Sequence, residues 1–152
     1  MAKAVLIADD NAYIRHTLCE LLRSQGDFDI CGEAENGKEA VEKAQELDPD
    51  LIVLDLSMPV MNGLDAARAL KRTMPGVPLI MFSEYSSAFS EQEAHSVGIS
   101  ALVSKSEHIS VLVETARSLL TARLLDYLFS QSGNPKLSAF SVRKLARASS
   151  IA

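Results

Sequence analysis

The stretch LIVLDLSMP, residues 51–59, decides the fold of this chain. It opens with four apolar residues and turns polar at Asp55, and a short apolar run of this kind is typical of a strand buried on both faces. Three further runs of similar length also stop at a polar residue. In chain order, the four runs are 5–8 before Asp9 and Asp10, 51–54 before Asp55, 79–82 before Ser83, and 101–104 before Lys105.

A fifth apolar run, near residues 28–32, and helical spacing between the runs extend this pattern along the chain. Gly26, Pro49 and Gly98 stand where the first, second and fourth helices would end. Strands that alternate with helices favour a parallel sheet with helices on both faces. The sequence therefore predicts an α/β fold with a five-stranded, parallel, doubly wound sheet, whose strands lie near 4–8, 28–32, 51–54, 79–82 and 101–103.

Parallel strands present their carboxyl ends at one edge of a sheet, and ligands bind there. The residues expected to converge at this edge are Asp9, Asp10, Asp55, Ser83 and Lys105. Clustered carboxylates repel one another, and a divalent cation such as Mg²⁺ relieves that repulsion while gaining the oxygen ligands it prefers. Asp55 could then take a phosphoryl group as an acyl phosphate, while the hydroxyl and the ammonium contact its oxygens.

Each of these residues also has a simpler role open to it. Asp9 or Asp10 could cap the first helix, since aspartate is a preferred N-cap residue. Asp55 and Ser83 could be turn residues, and Lys105 could be a solvated surface lysine. The position of all five at strand ends favours the shared site over these separate roles.

Five segments carry a resemblance to a known family. They are residues 5–10, the run VLDLSMP at 53–59, Asn62-Gly63, Ser83, and Ser104-Lys105. In this order and at these spacings they resemble the receiver domain of two-component response regulators, over roughly residues 3–120. The resemblance implies a flavodoxin-like sheet with strand order 2-1-3-4-5 and a phosphoprotein of signal transduction.

The resemblance also implies a role for each site residue. Asp55 would accept a phosphoryl group from a histidine kinase, a phosphotransfer protein or a small phosphodonor. Lys105 would bridge to that group, and Ser83 would move toward it and pass the change to the face of the fourth helix, fifth strand and fifth helix. Mg²⁺ would be the cofactor, and its ligands would be Asp10 directly, Asp9 directly or through a water, Asp55, and Ser57 through its backbone carbonyl.

Two positions depart from the family pattern. Leu102 stands where receivers usually have an aromatic ring, so the usual ring rotation is absent, and Tyr85 is one candidate to replace that ring. Ser106 stands where many receivers have proline, so a trans peptide bond is expected after Lys105, because a non-proline cis bond costs about 2.5–4 kcal/mol. A non-proline residue at this position is common in the receiver subgroup that carries a C-terminal helix-turn-helix.

The chain is expected to divide into a receiver domain, residues 1–120, and an extension with a basic tail, residues 121–152. The extension is too short for a helix-turn-helix domain, so the chain is either a receiver with an appendage or part of a longer regulator. The apolar stripe of the fifth helix continues from Ile109 to Leu128, about 30 Å, which is longer than the sheet needs. Beyond about Leu120 this stripe must be covered by a second subunit, by the tail or by another protein, unless the helix ends there.

Charge and hydropathy exclude several functions. Residues 1–116 carry 9 basic and 19 acidic side chains, whereas residues 117–152 carry 6 and 1, so the receiver part is too acidic to bind nucleic acid unaided. Nucleic-acid binding through the basic tail is an alternative that predicts a strong dependence on salt. No apolar run approaches the ~20 residues of a membrane helix, and the N-terminal run is too short for a signal peptide. We therefore expect no membrane contact and a cytoplasmic location.

Two functions of other classes stay open beside the phosphorylation switch. The first is a phosphorylation-independent scaffold, which would act through the long fifth helix and the tail. The second is an aspartyl phosphatase, but such enzymes place an aspartate two residues after the nucleophile, where this chain has Ser57. Without that general acid we expect a phosphoacceptor that assists its own reactions, not a turnover enzyme. The output partner is unspecified, and a homodimer through the fifth helix or the tail is one expectation.

Overall fold

The computed structural model describes residues 2–84 and 91–133 of the chain. The strands are β1 Lys3–Ala8, β2 Phe28–Ala34, β3 Leu51–Leu54, β4 Leu79–Ser83 and β5 Ala101–Ser104. The helices are α1 Ala12–Ser24, α2 Gly37–Leu47, α3 Gly63–Thr73, α4 Glu91–Ser96 and α5 Ile109–Ser132. All strand pairs are parallel and their order is β2-β1-β3-β4-β5, which confirms the predicted fold class and strand order.

The sheet buries apolar side chains on both of its faces, because successive residues of a strand point to opposite sides. In β1, Val5 and Ile7 pack with α1 and α5, whereas Leu6 and Ala8 pack with α2, α3 and α4. Every residue of β3 and β4 is buried, which explains why these strands are unbroken apolar runs in the sequence. The two cores hold the strand ends, and the side chains that follow them, at fixed positions along one edge.

Asparagine begins three of the helices. The side-chain oxygens of Asn11, Asn36 and Asn62 accept hydrogen bonds from backbone N–H groups in the first turns of α1, α2 and α3. Such caps satisfy donors that the helix itself leaves without partners. Asn11 is the N-cap of α1, so the alternative in which Asp9 or Asp10 caps this helix is wrong.

Helix α5 crosses the sheet and continues past its amino edge, the edge at which the strands begin. It contains 24 residues, so the alternative in which it ends near Leu120 is wrong. Arg117 and Arg123 tie it to Asp27 and Asp50, which stand before β2 and β3, with N···O distances of 2.8 and 3.8 Å. After Arg123, α5 leaves three large apolar side chains exposed, Leu124, Tyr127 and Leu128.

Two sequence predictions concern residues outside the described part of the chain. These are the replacement of the switch ring by Tyr85 and the basic tail after Gly133. The described helices include none that is both long enough and apolar enough to cross a membrane.

Candidate functional site

The predicted site residues lie together at the carboxyl edge, where the strands end. Strand register explains why, because Ala8 pairs with Leu54 and Ser83 pairs with Ser104, so the chain leaves the sheet at nearly the same level four times. The structure buries Asp9, Asp55 and Ser83, buries Lys105 in part, and leaves Asp10 exposed.

Three carboxylates form what we call the acidic cluster. One oxygen from each of Asp9, Asp10 and Asp55 lies within 4.8 Å of the other two. Asp9 is 2% exposed and Asp55 is 6% exposed, so water does little to reduce the repulsion between them. Mg²⁺ binds through one or two carboxylates while keeping several waters. Two buried carboxylates beside an exposed one fit such a partly hydrated cation.

Lys105 bridges the two buried carboxylates. Its Nζ donates a hydrogen bond to Asp9 Oδ2 at 2.7 Å and lies 3.4 Å from Asp55 Oδ1. Burial on its own lowers the pKa of Lys105, but the hydrogen bond to Asp9 and the charge of Asp55 together raise that pKa above its usual value. The backbone N–H of Lys105 donates to the Ser83 carbonyl at 3.1 Å, which joins β5 to β4 at the site. The ammonium therefore stays charged and partly neutralises the acidic cluster.

The pKa of the Asp55 carboxyl is raised. Burial is the main cause and the negative charge of Asp9 adds to it, whereas Lys105 acts in the opposite direction. The ionised form of Asp55 is thus disfavoured until a further positive charge arrives. Binding of a cation and ionisation of Asp55 consequently favour each other.

The loop after Asp55 depends on close backbone contacts that only glycine permits. The N–H of Gly63 donates to the Leu56 carbonyl at 2.9 Å, and a Cβ on Gly63 would lie 2.2 Å from the Asp55 carbonyl oxygen. Gly37 meets the same loop from α2, and a Cβ there would lie 2.3 Å from the Met61 carbonyl oxygen. These two contacts fix the path of the chain beside Asp55.

An open depression lies next to the acidic cluster. Asp10 and Ser57 both line it, and both residues are exposed. The rest of the lining is Leu56, Met58, Pro59 and Asn62. Whether the backbone carbonyl of Ser57 binds a cation in this depression stays a prediction.

Leu102 and Ser106, the two residues that depart from the family pattern, lie in or next to the region predicted to transmit the switch. Leu102 is partly exposed and lines, with His95 and Thr115, a cavity of about 180 Å³ between α4, β5 and α5. No phenylalanine, tyrosine or tryptophan is among the described residues that line it. The peptide bond between Lys105 and Ser106 is trans, as the absence of proline predicts.

Two residues that contact the site were not predicted from the sequence. The N–H of Asn11 donates to Asp9 Oδ1 at 2.9 Å, and Arg15 Nη1 donates to the Asp9 carbonyl at 2.7 Å. An asparagine directly before an apolar helical pattern is a recognisable N-cap signal. Arg15 has a subtler signal, because it stands in the first turn of α1, where the helix dipole disfavours a positive charge.

Comparisons with known proteins place these features in a family. The sequence profile of the response regulator receiver domain matches residues 5–117. A protein-glutamate methylesterase/protein-glutamine glutaminase of Methanosarcina acetivorans is 45% identical over 104 residues, which are 67% of this chain and 30% of that protein. The chain thus spans less than a third of the length of this relative.

Solved structures agree with the profile. The response regulator TrrA of Thermotoga maritima, in complex with Mg²⁺-BeF, has a TM-score of 0.69 and 31% identity, over 77% of this chain and 98% of that chain. A DNA-binding response regulator of the LuxR family from Staphylococcus aureus has a TM-score of 0.70 and 26% identity, over 78% and 98%. Regulators that bind DNA are therefore among the relatives, in line with the predicted subgroup.

Proposed function

This chain belongs to the response regulator receiver family, and we propose that Asp55 is the carboxylate that accepts the phosphoryl group. Receivers are phosphoacceptors in signal transduction, and this chain has their fold and their acidic site. The proposal assigns the acceptor role to one of three neighbouring carboxylates. It also assigns Mg²⁺ as the cation of the acidic cluster.

The observation that carries the choice of Asp55 is the unequal hydrogen bonding of the buried carboxylates. Both oxygens of Asp9 accept hydrogen bonds, one from Asn11 and one from Lys105. Asp55 lies 3.4 Å from Lys105, which is longer than a normal N–H···O hydrogen bond. Asp10 is exposed and therefore well hydrated. The Leu56 backbone also hydrogen-bonds the Asp55 carboxylate. Asp55 thus differs from Asp9 in that no short hydrogen bond from Lys105 occupies its oxygens.

The residues of the site account for each change of charge during transfer. A carboxylate oxygen of Asp55 forms a bond to phosphorus, and the bond from phosphorus to the donor atom breaks, with its electron pair leaving on the donor. The Lys105 ammonium lies 3.4 Å from Asp55 Oδ1, and it would contact an oxygen of the incoming phosphoryl group. Bound Mg²⁺ would neutralise charge on the carboxylates and the phosphoryl oxygens.

Ser83 and Ser57 complete the proposed roles. The Ser83 hydroxyl would contact a phosphoryl oxygen and link phosphorylation to the α4, β5 and α5 face, while the backbone carbonyl of Ser57 would bind Mg²⁺. Support for both comes from their position, since Ser83 ends the strand next to β3 and Ser57 lines the depression that Asp10 shares. Asp9 would bind Mg²⁺ directly or through a water.

The partners follow from this chemistry. A histidine kinase or a phosphotransfer protein would donate the phosphoryl group, and an output protein would recognise the phosphorylated form. Such donors act in the cytoplasm, which stays the predicted location. We retain the division into a receiver, residues 1–120, and an extension, residues 121–152, and the extension is our candidate for contacts with a second copy or an output protein.

The chain is not proposed to be a turnover enzyme. The methylesterase relative contains much that this chain does not match, so its activity is not transferred. Within the site, Ser57 occupies the position at which an aspartyl phosphatase would have its general acid, and a serine hydroxyl is a poor proton donor at neutral pH. Steady release of phosphate from a model ester would contradict this view.

Intact-mass measurement tests the proposal. The chain would be incubated with a small phosphodonor, with and without Mg²⁺, beside the variants Asp55→Ala and Asp65→Ala. Asp65 is a matched control, since it is an exposed carboxylate at the start of α3. We expect one phosphoryl group on the wild type and on Asp65→Ala, only with Mg²⁺, and none on Asp55→Ala. Addition to Asp55→Ala would refute the assignment.

A phosphorylation-independent scaffold is the second candidate. The exposure of Leu124, Tyr127 and Leu128 favours it, because these side chains offer an apolar surface far from the acidic cluster. Leu102, in place of the usual ring, favours it as well. In that case Asp55→Asn would leave partner binding unchanged, whereas a switch requires the wild type to change its binding on phosphorylation and the variant not to.

A further inference from the structure

We propose that Arg15 is a positioning residue for the cation site: by holding the Asp9 carbonyl it directs the carboxylates of Asp9 and Asp10 toward one bound cation. The inference rests on the proposed function, since it names a residue that prepares the acidic cluster for Mg²⁺. Arg15 itself would touch neither the cation nor the phosphoryl group.

The first step is the unusual placement of the Arg15 side chain. It belongs to the first turn of α1, yet it folds back toward the end of β1, and its Nη1 donates to the Asp9 carbonyl at 2.7 Å. Only 12% of the side chain is exposed. A guanidinium loses hydration on burial, and this placement therefore depends on the contacts that it makes there.

The second step is that Arg15 completes the restraint of Asp9. The Asp9 N–H donates to the Ala34 carbonyl at 3.0 Å. Its two carboxylate oxygens accept from the Asn11 N–H at 2.9 Å and from Lys105 at 2.7 Å. The carbonyl remains, and Arg15 binds it. Every polar atom of Asp9 is thus bonded, which fixes both its backbone and its side chain.

The third step connects Asp9 to Asp10. The carbonyl that Arg15 holds belongs to the planar peptide unit between the two residues, so its direction sets where the Cα of Asp10 lies. No hydrogen bond or ion pair to another described residue holds the Asp10 carboxylate, which is exposed. The position from which this carboxylate reaches a cation therefore depends on this peptide plane, whose carbonyl accepts the hydrogen bond from Arg15.

The fourth step explains what aims the guanidinium. Glu33 in β2 and Glu35 just beyond it lie near the other two nitrogens of the guanidinium, at 3.4 Å from Nε and 3.6 Å from Nη2. Nε is buried and lacks a hydrogen-bond partner among the described residues. The two carboxylates thus hold the guanidinium mainly by charge and leave Nη1 directed at Asp9.

Positioning and simple charge predict opposite results. Arg15 carries a positive charge near the acidic cluster, so removing that charge alone would strengthen cation binding. Loss of positioning would weaken it, and groups that orient metal ligands typically contribute a factor of about 10–100 in metal affinity. The sign of the change in Mg²⁺ affinity therefore separates the two explanations.

The test is calorimetric titration of Mg²⁺ into the unphosphorylated full chain. We expect Arg15→Gln to raise the Kd for Mg²⁺ by about tenfold. We expect Arg15→Lys to recover part of the loss, because the lysine side chain is longer than that of glutamine and keeps a charged donor for the Asp9 carbonyl. Arg23→Gln is the matched control, since it removes an exposed arginine from the last turn of the same helix and should leave the Kd within about twofold.

Three outcomes decide the matter. An unchanged or lower Kd in Arg15→Gln, with urea unfolding confirming that the variant is folded, overturns the inference. If the wild-type chain binds Mg²⁺ but gains no phosphoryl group, the role of Asp55 is contradicted. The effect of Arg15→Gln on the Kd for Mg²⁺ still tests the role of Arg15 in that case. Wild-type chain that does not bind Mg²⁺ overturns both proposals.

Discussion

The two edges of the sheet carry ion pairs of nearly equal length in opposite surroundings. At the carboxyl edge, Lys105 and Asp9 are 2.7 Å apart and their side chains are 12% and 2% exposed. At the amino edge, Arg117 and Asp27 are 2.8 Å apart and 45% and 47% exposed. Water and salt screen the second pair and hardly reach the first. The first pair can therefore alter the ionisation of a reactive neighbour, whereas the second ties a helix to the sheet.

The aspartates at the two edges have pKa shifts of opposite sign. Burial and the charge of Asp9 raise the pKa of Asp55 at the carboxyl edge. The hydrogen bond from Arg117 lowers the pKa of Asp27 at the amino edge. The ionised form of Asp55 is therefore disfavoured until a cation binds, whereas the ionised form of Asp27 is favoured. This contrast is what separates a chemical site from a structural contact between charges.

Helix α5 extends from one edge of the sheet to the other, and a substitution in this helix has the largest expected effect on stability. Leu112, in its first half, is fully buried, and Leu128, past the amino edge, is 52% exposed. We expect Leu112→Ala to lower the free energy of unfolding by about 2–5 kcal/mol. Leu128→Ala should change it by less than about 0.5 kcal/mol, as measured by urea unfolding. A loss at Leu128 that rivals the loss at Leu112 would mean that this part of α5 is covered in solution.

Glycines at the two edges provide the next contrast. A Cβ on Gly63, at the carboxyl edge, would meet the backbone of Asp55, whereas a Cβ on Gly76, before β4 at the amino edge, would meet nothing within 4 Å. We expect Gly63→Ala to destabilise the chain by about 2–3 kcal/mol and to weaken Mg²⁺ binding, since the loop must move. Gly76→Ala should change stability by less than about 1 kcal/mol. If urea unfolding showed the same loss of stability for Gly63→Ala and Gly76→Ala, the close contact between residue 63 and the Asp55 backbone would not contribute to stability.

The sequence predicts the fold closely because the three central strands, β1, β3 and β4, are buried on both faces over most of their length. Apolar runs such as 51–54 have no other place in a small domain, and the helices between them leave only parallel connections. The end of α5 is harder to predict. Its apolar residues continue without a break past Leu120, and the sequence alone does not say which of them the sheet covers.

The sequence predicts which residues form the candidate site, but not the hydrogen bonds that connect them. Residues at strand ends must meet at one edge, so the grouping of Asp9, Asp10, Asp55 and Lys105 follows from the topology. Which carboxylate Lys105 contacts more closely depends on loop geometry, and so does the path of Arg15 back to Asp9. These details are set by distances of a few tenths of an ångström, which residue spacing does not encode.

Removing the charge of Asp55 tests the carboxyl edge. Because folding raises the pKa of Asp55, its carboxyl stabilises the fold below its unfolded pKa, about 3.9, and this contribution is lost as the pH rises through the folded value. We therefore expect Asp55→Asn to be more stable than the wild type at pH 7 without Mg²⁺. Its stability should also fall less between pH 4 and pH 7. Urea unfolding at both pH values measures this, and a less stable variant at pH 7 would contradict it.

Removing the charge of Asp27 tests the amino edge, and the expected effect is the smallest and of opposite sign. The hydrogen bond from Arg117 lowers the folded pKa of Asp27, so this carboxylate stabilises the fold above its unfolded pKa, and that contribution is lost as the pH falls through the folded value. Asp27→Asn should therefore be slightly less stable than the wild type at pH 7 and equal to it at low pH. In 1 M salt the difference at pH 7 should nearly vanish, because both side chains are exposed. Measuring Arg117→Gln and the double variant in parallel isolates the pair, and a salt-resistant coupling would mean that the amino edge is shielded from solvent as the carboxyl edge is.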